Sequence, residues 1–145
     1  MLLRIYQIIS TLLLPFVGIY IKNRIKLSKE DPNRYKERYG KPGVKRKEGN
    51  VIWIHAASVG ETLSILKVIS EIEKIKSVDQ VLLTTGTTSS AEIVVNKLGP
   101  KTVHQFIPLD IPLFNKRFLK YWKPTIAIFV ESEIWPNLAT QTKKL

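Results

Sequence analysis

The sequence predicts an α/β protein, a doubly wound parallel sheet with a hydrophobic helix ahead of it. Three observations carry that reading. Past residue 50, short apolar runs alternate with segments whose apolar residues recur at helical spacing. The short runs are nearly all apolar rather than alternating, the pattern of strands covered on both faces. Ahead of them, residues 5–21 pass without one charged side chain and lead directly into a basic cluster.

The first element is that uncharged run. From Ile5 to Ile21 a helix covers about 25 Å, the short end of what crosses a hydrocarbon core. Pro15 and Gly18 should kink it, Tyr6 and Tyr20 lie near its ends as interfacial aromatics do, and Lys22, Arg24, Lys26 and Lys29 follow. No small-x-small cleavage site precedes the basic cluster, which argues against a cleaved signal peptide. The segment reads as a membrane anchor, spanning or monotopic, with the chain after Lys22 in the cytoplasm; a buried amphipathic helix is the competing reading. Residues 1–26 form the anchor helix and its basic flank, 27–50 a basic linker, and 51–145 the folded domain.

The domain's elements follow in order. Val51–Ala56 is a strand, and Glu61–Ile75 a helix with Leu63, Leu66, Ile69 and Ile72 on one side. Val81–Thr85 is the second strand, Ser89–Leu98 the second helix, and Val103–Ile107 the third strand. A helix over Ile111–Tyr121, a strand over Thr125–Val130 and a helix over Trp135–Lys143 complete four strand–helix units with right-handed crossovers.

Composition excludes several function classes. The chain has 145 residues, room for one compact domain and an extension, and 44% apolar content supplies a core. With no cysteine, a disulfide scaffold, thiolate catalysis and Cys-ligated metal clusters are excluded. Of the formal charge of +11, residues 1–50 hold twelve basic against four acidic residues, and residues 51–145 eleven against eight. A nucleic-acid-binding domain would spread basic residues over the folded face that meets phosphate. Here the excess sits beside the apolar segment, which points to anionic lipid instead.

In a doubly wound sheet, ligands bind beyond the carboxyl ends of the strands, so the strand-to-helix loops carry the chemistry. In the first, Ser58 and Glu61 have capping-box spacing, and Gly60 allows a close turn or close approach of another molecule. Glu61 is either a helix-start carboxylate or a general base whose pKa partial burial would lift. The second loop, Thr85-Gly86-Thr87-Thr88-Ser89-Ser90, offers hydroxyls and amides to a sugar or phosphate, or simply caps a helix. It lacks the lysine of a Walker A loop and the glycines of a dinucleotide fingerprint, so nothing there supports nucleotide binding. The fourth brings Glu131 and Glu133 to the ligand edge, where an unpaired acid is costly. His55 and His104 read as satisfied core or near-surface histidines, and no spacing suggests a metal site.

Five ordered motifs carry a resemblance across nearly the whole chain. They are Arg34-Tyr35-Lys36-Glu37-Arg38-Tyr39-Gly40, the run Ile52 to Thr62 (IWIHAASVGET), Thr84-Thr85-Gly86-Thr87, Pro108-Leu109-Asp110, and the run Glu131 to Leu138 (ESEIWPNL). In this order they resemble the N-terminal half of the 3-deoxy-D-manno-octulosonic acid (Kdo) transferases of Gram-negative bacteria. The resemblance implies one of the two Rossmann-like domains of a GT-B glycosyltransferase, membrane-bound at the cytoplasmic face of the bacterial inner membrane. It implies transfer of Kdo from CMP-Kdo to the lipid A precursor with inversion, and no metal or cofactor. Glu61 then aligns with the catalytic base and Glu131 with a carboxylate that stabilises the transition state, while Ser58, Gly60, Thr85, Gly86 and Thr87 line the acceptor side. The second domain, which holds most donor contacts in such enzymes, is absent after Leu145, so transfer needs a separate donor-binding partner. The alternative is a catalytically inactive remnant that binds anionic lipid.

Overall fold

The computed structural model describes residues 2–130 and 135–143. Four parallel strands, β1 (Val51–Ala56), β2 (Gln80–Thr85), β3 (Thr102–Phe106) and β4 (Ile126–Phe129), form one sheet in the order β3-β2-β1-β4. That order makes the sheet doubly wound, with its switch point between β1 and β4. Helices α3 (Val59–Glu73) and α4 (Thr88–Val94) cover one face, and α5 (Pro112–Trp122) and α6 (Pro136–Thr142) cover the other.

Alternation along the central strands divides the core in two. Val51, Trp53 and Leu82 pack against Phe118, Leu119, Trp122 and Leu138 of α5 and α6. Ile52, Ile54, Ala56, Val81 and Leu83 pack against Ile69 and Val94 of α3 and α4. Both faces are thus buried at every position along β1 and β2, which is why these strands are mostly apolar rather than alternating. The edge strand β4 departs from that pattern: Ile126 and Ile128 are exposed. The expected domain helices are all present, but α4 stops at Val94, four residues before the expected end.

The N-terminal helix differs more. Two helices, α1 (Leu2–Leu12) and α2 (Val17–Lys26), flank a 3-10 turn over Leu14–Phe16 that contains Pro15, which supplies no backbone N–H to continue the ladder. No single helix among the described residues is long and apolar enough to cross a membrane; the pair together has the length and composition but is bent by 40°. Val17 and Ile21 of α2 pack with Ile111 and Phe114, so the pair lies along the body.

The stretch expected to be a basic linker is folded onto the sheet. Arg38, buried, donates from Nε to Glu30 (3.0 Å), from Nη1 to the Ile107 carbonyl (3.1 Å) and from Nη2 to the Gly86 carbonyl (2.7 Å). Glu30 also accepts from Arg24 Nε of α2 (3.2 Å). Arg34 forks onto both oxygens of Glu37 (2.8 and 2.9 Å), and Glu37 accepts the Phe106 N–H at 2.7 Å. The guanidinium carbons of Arg34 and Arg38 lie 4.7 and 4.8 Å from the Phe106 ring centre, cation–π distances. Gly40 ends this segment at φ +70°, and any Cβ there would strike the Phe114 carbonyl.

His104 belongs to the same network. Because a guanidinium can only donate, its Nδ1 accepts from Arg34 Nη2 (3.0 Å), and Nε2 therefore carries the proton toward Thr85 Oγ1 (2.9 Å). Burial, then the charges of Arg34 and Arg38, push its pKa down to about 3. Burial also lowers His55, against a smaller opposing effect from the hydrogen bond to Thr84. Both groups bind their proton more weakly folded than unfolded, so stability is lost as pH falls below the unfolded value near 6.5. Urea unfolding should show stability falling as pH drops from 6.5 to 4.5, with His104 alone contributing up to about 1.4 kcal/mol per pH unit at the acid end of that interval. His104→Asn, which keeps an acceptor for Arg34, should remove the His104 share of that slope. An unfolding free energy that stays flat over this interval contradicts the assignment.

Candidate functional site

Three loops meet at the carboxyl end of the sheet. β1 ends at Ala56 and turns through Ala57 into α3, with Ser58 extended at φ −110°, ψ 168° as the cap. The Ser58 hydroxyl accepts the Glu61 N–H (3.3 Å) and donates to Glu61 Oε1 (2.7 Å), while Glu61 Oε2 accepts the Ala57 N–H (2.8 Å). The box closes one residue further back than usual, on the amide before the cap rather than on the cap itself. Thr62 donates to the Ser58 carbonyl (2.6 Å) and completes the turn.

These bonds decide the state of Glu61. Partial burial raises its pKa, but the bonds from Ser58 and Ala57 and the nearby His55 outweigh burial and hold it below the usual carboxylate range. The expected upward shift is therefore corrected: Glu61 is half-buried and anionic at neutral pH. An ionised carboxylate can accept a proton, and its two oxygens are already oriented by the start of α3.

Gly60 has ordinary helical geometry, and a Cβ placed on it would meet nothing within 4 Å. The turn does not need a glycine, so the open space lies outside the chain. Gly86 is different: a Cβ there would come 3.1 Å from the Ala57 carbonyl, so the loops after β1 and β2 press together. Arg38 holds the Gly86 carbonyl from below.

Of the five residues expected on the acceptor side, Ser58 caps α3, and two more have side chains with structural partners. The Thr85 hydroxyl is buried against His104, so it does not face a ligand. Thr87 caps α4, accepting the Ser90 N–H (3.1 Å) and pairing with the Ser90 hydroxyl (2.7 Å). Ser58, Gly60 and Gly86 stay at the crevice mouth. His55, expected to be a satisfied core histidine, is only half so: Nδ1 meets Thr84, but the buried Nε2 has no partner among the described residues.

On the far side of the switch point, Val130 donates its N–H to the His55 carbonyl (2.9 Å), so the chain leaves β4 beside β1. Glu131 and Glu133 come next and lie outside the described residues. The chain re-enters at α6, held by Asp110, whose carboxylate accepts the Asn137 and Leu138 N–H groups at 3.1 and 2.9 Å, the Asn115 amide at 2.6 Å and the Tyr6 hydroxyl at 3.1 Å. Neither Asp110 nor Arg38 stood out in the sequence as a positioning residue. The only hint was their place within Pro108-Leu109-Asp110 and Arg34–Gly40, because nothing in local spacing shows a bond to a residue tens of positions away. A small cavity of 180 Å³ opens beside Gly86, walled by Arg24, Arg38, Tyr20, Pro108 and Trp135. Among the described residues no cluster of His, Asp and Glu could hold a metal ion.

The similarity to known proteins follows the same segments. A family model described as 3-deoxy-D-manno-octulosonic-acid transferase (kdotransferase) matches residues 33–145. The chain is 40% identical over 143 residues to a 3-deoxy-D-manno-octulosonic acid transferase of Rickettsia bellii, covering 99% of this chain and 34% of that protein. It is 39% identical over 135 residues to a probable mitochondrial 3-deoxy-D-manno-octulosonic acid transferase of Arabidopsis thaliana, covering 93% and 30%. Against the Haemophilus influenzae 3-deoxy-D-manno-octulosonic acid transferase it is 32% identical over 141 residues, covering 92% and 31%. The chain thus spans about a third of the length of these relatives, and no solved structure matches it. With the family model matched over most of its length, the chain belongs to the Kdo transferase family.

Proposed function

We propose that this chain is the acceptor-binding part of an inverting glycosyltransferase of GT-B architecture, which moves Kdo from CMP-Kdo to the lipid A precursor at the cytoplasmic face of a bacterial inner membrane. Donor contacts then come from a separate donor-binding domain. The observation that carries this reading is Glu61: an ionised, pre-oriented carboxylate next to the switch point of the sheet, in front of a glycine whose missing side chain leaves open space. In the reaction, an acceptor hydroxyl attacks the anomeric carbon of Kdo, its proton passes to Glu61, and CMP leaves with the bonding electrons. Glu131, on the opposite loop, is assigned to stabilising charge in that transition state. No metal or cofactor has a role in this scheme.

The N-terminal helices support a membrane location. Helix α1 turns polar side chains inward: the Tyr6 hydroxyl donates to Asp110, and Ser10 Oγ accepts from Asn137 Nδ2 (3.1 Å). Its apolar residues face outward; Leu2, Ile5, Ile8, Ile9 and Leu12 are exposed, as are Leu13, Phe16 and Ile19 beyond it. A contiguous apolar face of this kind is a contact surface for lipid or protein. Exposed Lys22, Lys26 and Lys29 follow, which favours anionic lipid. Because polar bonds tie α1 to the body, the pair lies in the interface rather than across the bilayer.

One observation favours the second reading, a silent lipid-binding remnant: both oxygens of Glu61 are already engaged in capping. Kinetics separate the two. Mixed with the donor-binding remainder of the Rickettsia bellii relative, the chain should transfer Kdo to lipid A precursor, and Glu61→Gln should lower kcat by about 10²–10⁴-fold. Glutamine still serves a capping box, so Tm should barely move. Full activity in the Gln variant would remove the base assignment; lipid binding without turnover in every mixture would favour the remnant.

Two further outcomes are expected. Gly60→Ala should leave Tm unchanged or raise it, since alanine is the better helix former by up to about 1 kcal/mol, yet raise KM for the acceptor by filling the open space. Ile8→Asp with Leu12→Asp should abolish sedimentation with phosphatidylglycerol vesicles, because both residues are exposed, while far-ultraviolet circular dichroism stays unchanged. Undiminished sedimentation of that double variant would rule out the α1 face as the lipid contact.

A further inference from the structure

We propose that the groove between α1, α5 and α6 is a binding site for the phosphate headgroup of an anionic phospholipid, distinct from the acceptor crevice. The groove has a volume of 910 Å³; its floor is apolar, formed by Pro112, Leu113, Leu119 and Pro124, and Lys116, Lys120 and Lys123 stand along it. The three lysines are four and three residues apart, so they share one side of α5 and its end. All three are exposed, no acidic residue lines the groove, and none of the three forms an ion pair among the described residues. Three uncompensated cations over an apolar floor match a ligand that is anionic at one end and apolar at the other.

Lys123 adds an independent observation. It follows the end of α5 at φ +41°, ψ 58°, the left-handed conformation that glycine usually occupies after a helix. A lysine there strains the backbone, and the residue lines the groove next to the negative end of the helix dipole.

The location selects the occupant. Gln7 of α1 forms one wall, and the neighbouring α1 residues Ile8 and Leu12 face outward with the apolar surface proposed above to meet lipid. When that surface is seated, the groove lies at headgroup depth, where each cation gains from anionic lipid. The inference therefore rests on the membrane reading for its orientation, and the experiment separates the two.

Vesicle sedimentation of the full chain is measured with phosphatidylglycerol mixtures and with phosphatidylcholine alone. The variants are Lys116→Gln/Lys120→Gln/Lys123→Gln and a charge-matched control, Lys67→Gln/Lys76→Gln/Lys97→Gln, altered around the helices of the opposite sheet face. The groove variant should bind phosphatidylglycerol vesicles about tenfold or more weakly, and the control within about twofold of the parent chain. Equal losses in both would reduce the effect to bulk charge and overturn the groove. Absence of vesicle binding in the parent chain would instead overturn the membrane reading beneath it. Soluble dihexanoyl phosphatidylglycerol should shift the amide resonances of residues 112–124, whereas inorganic phosphate alone at the same concentration should not. Equal shifts with phosphate would identify a free anion as occupant, and a dimer that the groove variant loses would identify a second copy; either overturns the lipid. Lys123→Gly should raise Tm while weakening binding. An unchanged affinity in Lys123→Gly would remove that residue from the site.

Discussion

A single buried guanidinium holds the ligand edge of the sheet together. Arg38 reaches the carbonyl after β3, the carbonyl of the loop after β2, and Glu30, which in turn holds Arg24 of α2. Arginine stays charged at any accessible pH, so a buried one must keep its partners, and removing a partner from such a pair typically costs about 3–5 kcal/mol. The consequence is architectural. Two loops at the carboxyl end of the sheet and, through Glu30, helix α2 are fastened to one side chain, and a shift of any of them takes a partner from that buried charge. Gly86 is pinned from one side by Arg38 and pressed from the other by the Ala57 carbonyl, and Ala57 in turn orients Glu61.

Asp110 plays the matching role on the other face. Its four hydrogen bonds join the loop after β3, the start of α6 and Tyr6 of α1. Through it and Asn137, α1 is bound by polar contacts, which leaves its apolar residues no core to enter. In water such a helix would be inside out. An exposed apolar face of this extent is a contact surface, and this links the buried polar chemistry at the sheet edge to the lipid surface proposed for the chain.

Much of this was legible in the sequence, and the parts that were not share a cause. All four strands and the four helices of the sheet region were evident because their apolar periodicity is local. The capping box of Ser58 and Glu61 was evident for the same reason. Residues 27–50 misled because a run of mixed charge looks the same whether solvated or buried. The structure divides it by residue type: Arg34, Arg38 and Arg46 turn toward backbone carbonyls and carboxylates, while Lys29, Lys36, Lys41, Lys45 and Lys47 stay exposed. The planar, multi-donor arginine head explains the division, since it satisfies several buried acceptors at once and an ammonium does so poorly. Thr85 misled for a related reason: its partner, His104, lies on the neighbouring strand.

In the reaction proposed above, Glu61 would be a cap and a base at once. As a cap its carboxylate gains from the amides and dipole of the α3 start, and these same bonds lower its pKa and weaken it as a base. An acceptor hydroxyl entering over Gly60 would compete for Oε1 with the Ser58 hydroxyl, which is the more easily displaced of the two donors because it rotates about a single bond, while the Ala57 amide is fixed in the backbone. The incoming hydroxyl would take over the bond that Ser58 gives up, so the carboxylate would stay anionic and would meet directly the proton it is proposed to take. The carboxylate thus needs no long-range movement to change role, only the exchange of one hydroxyl for another.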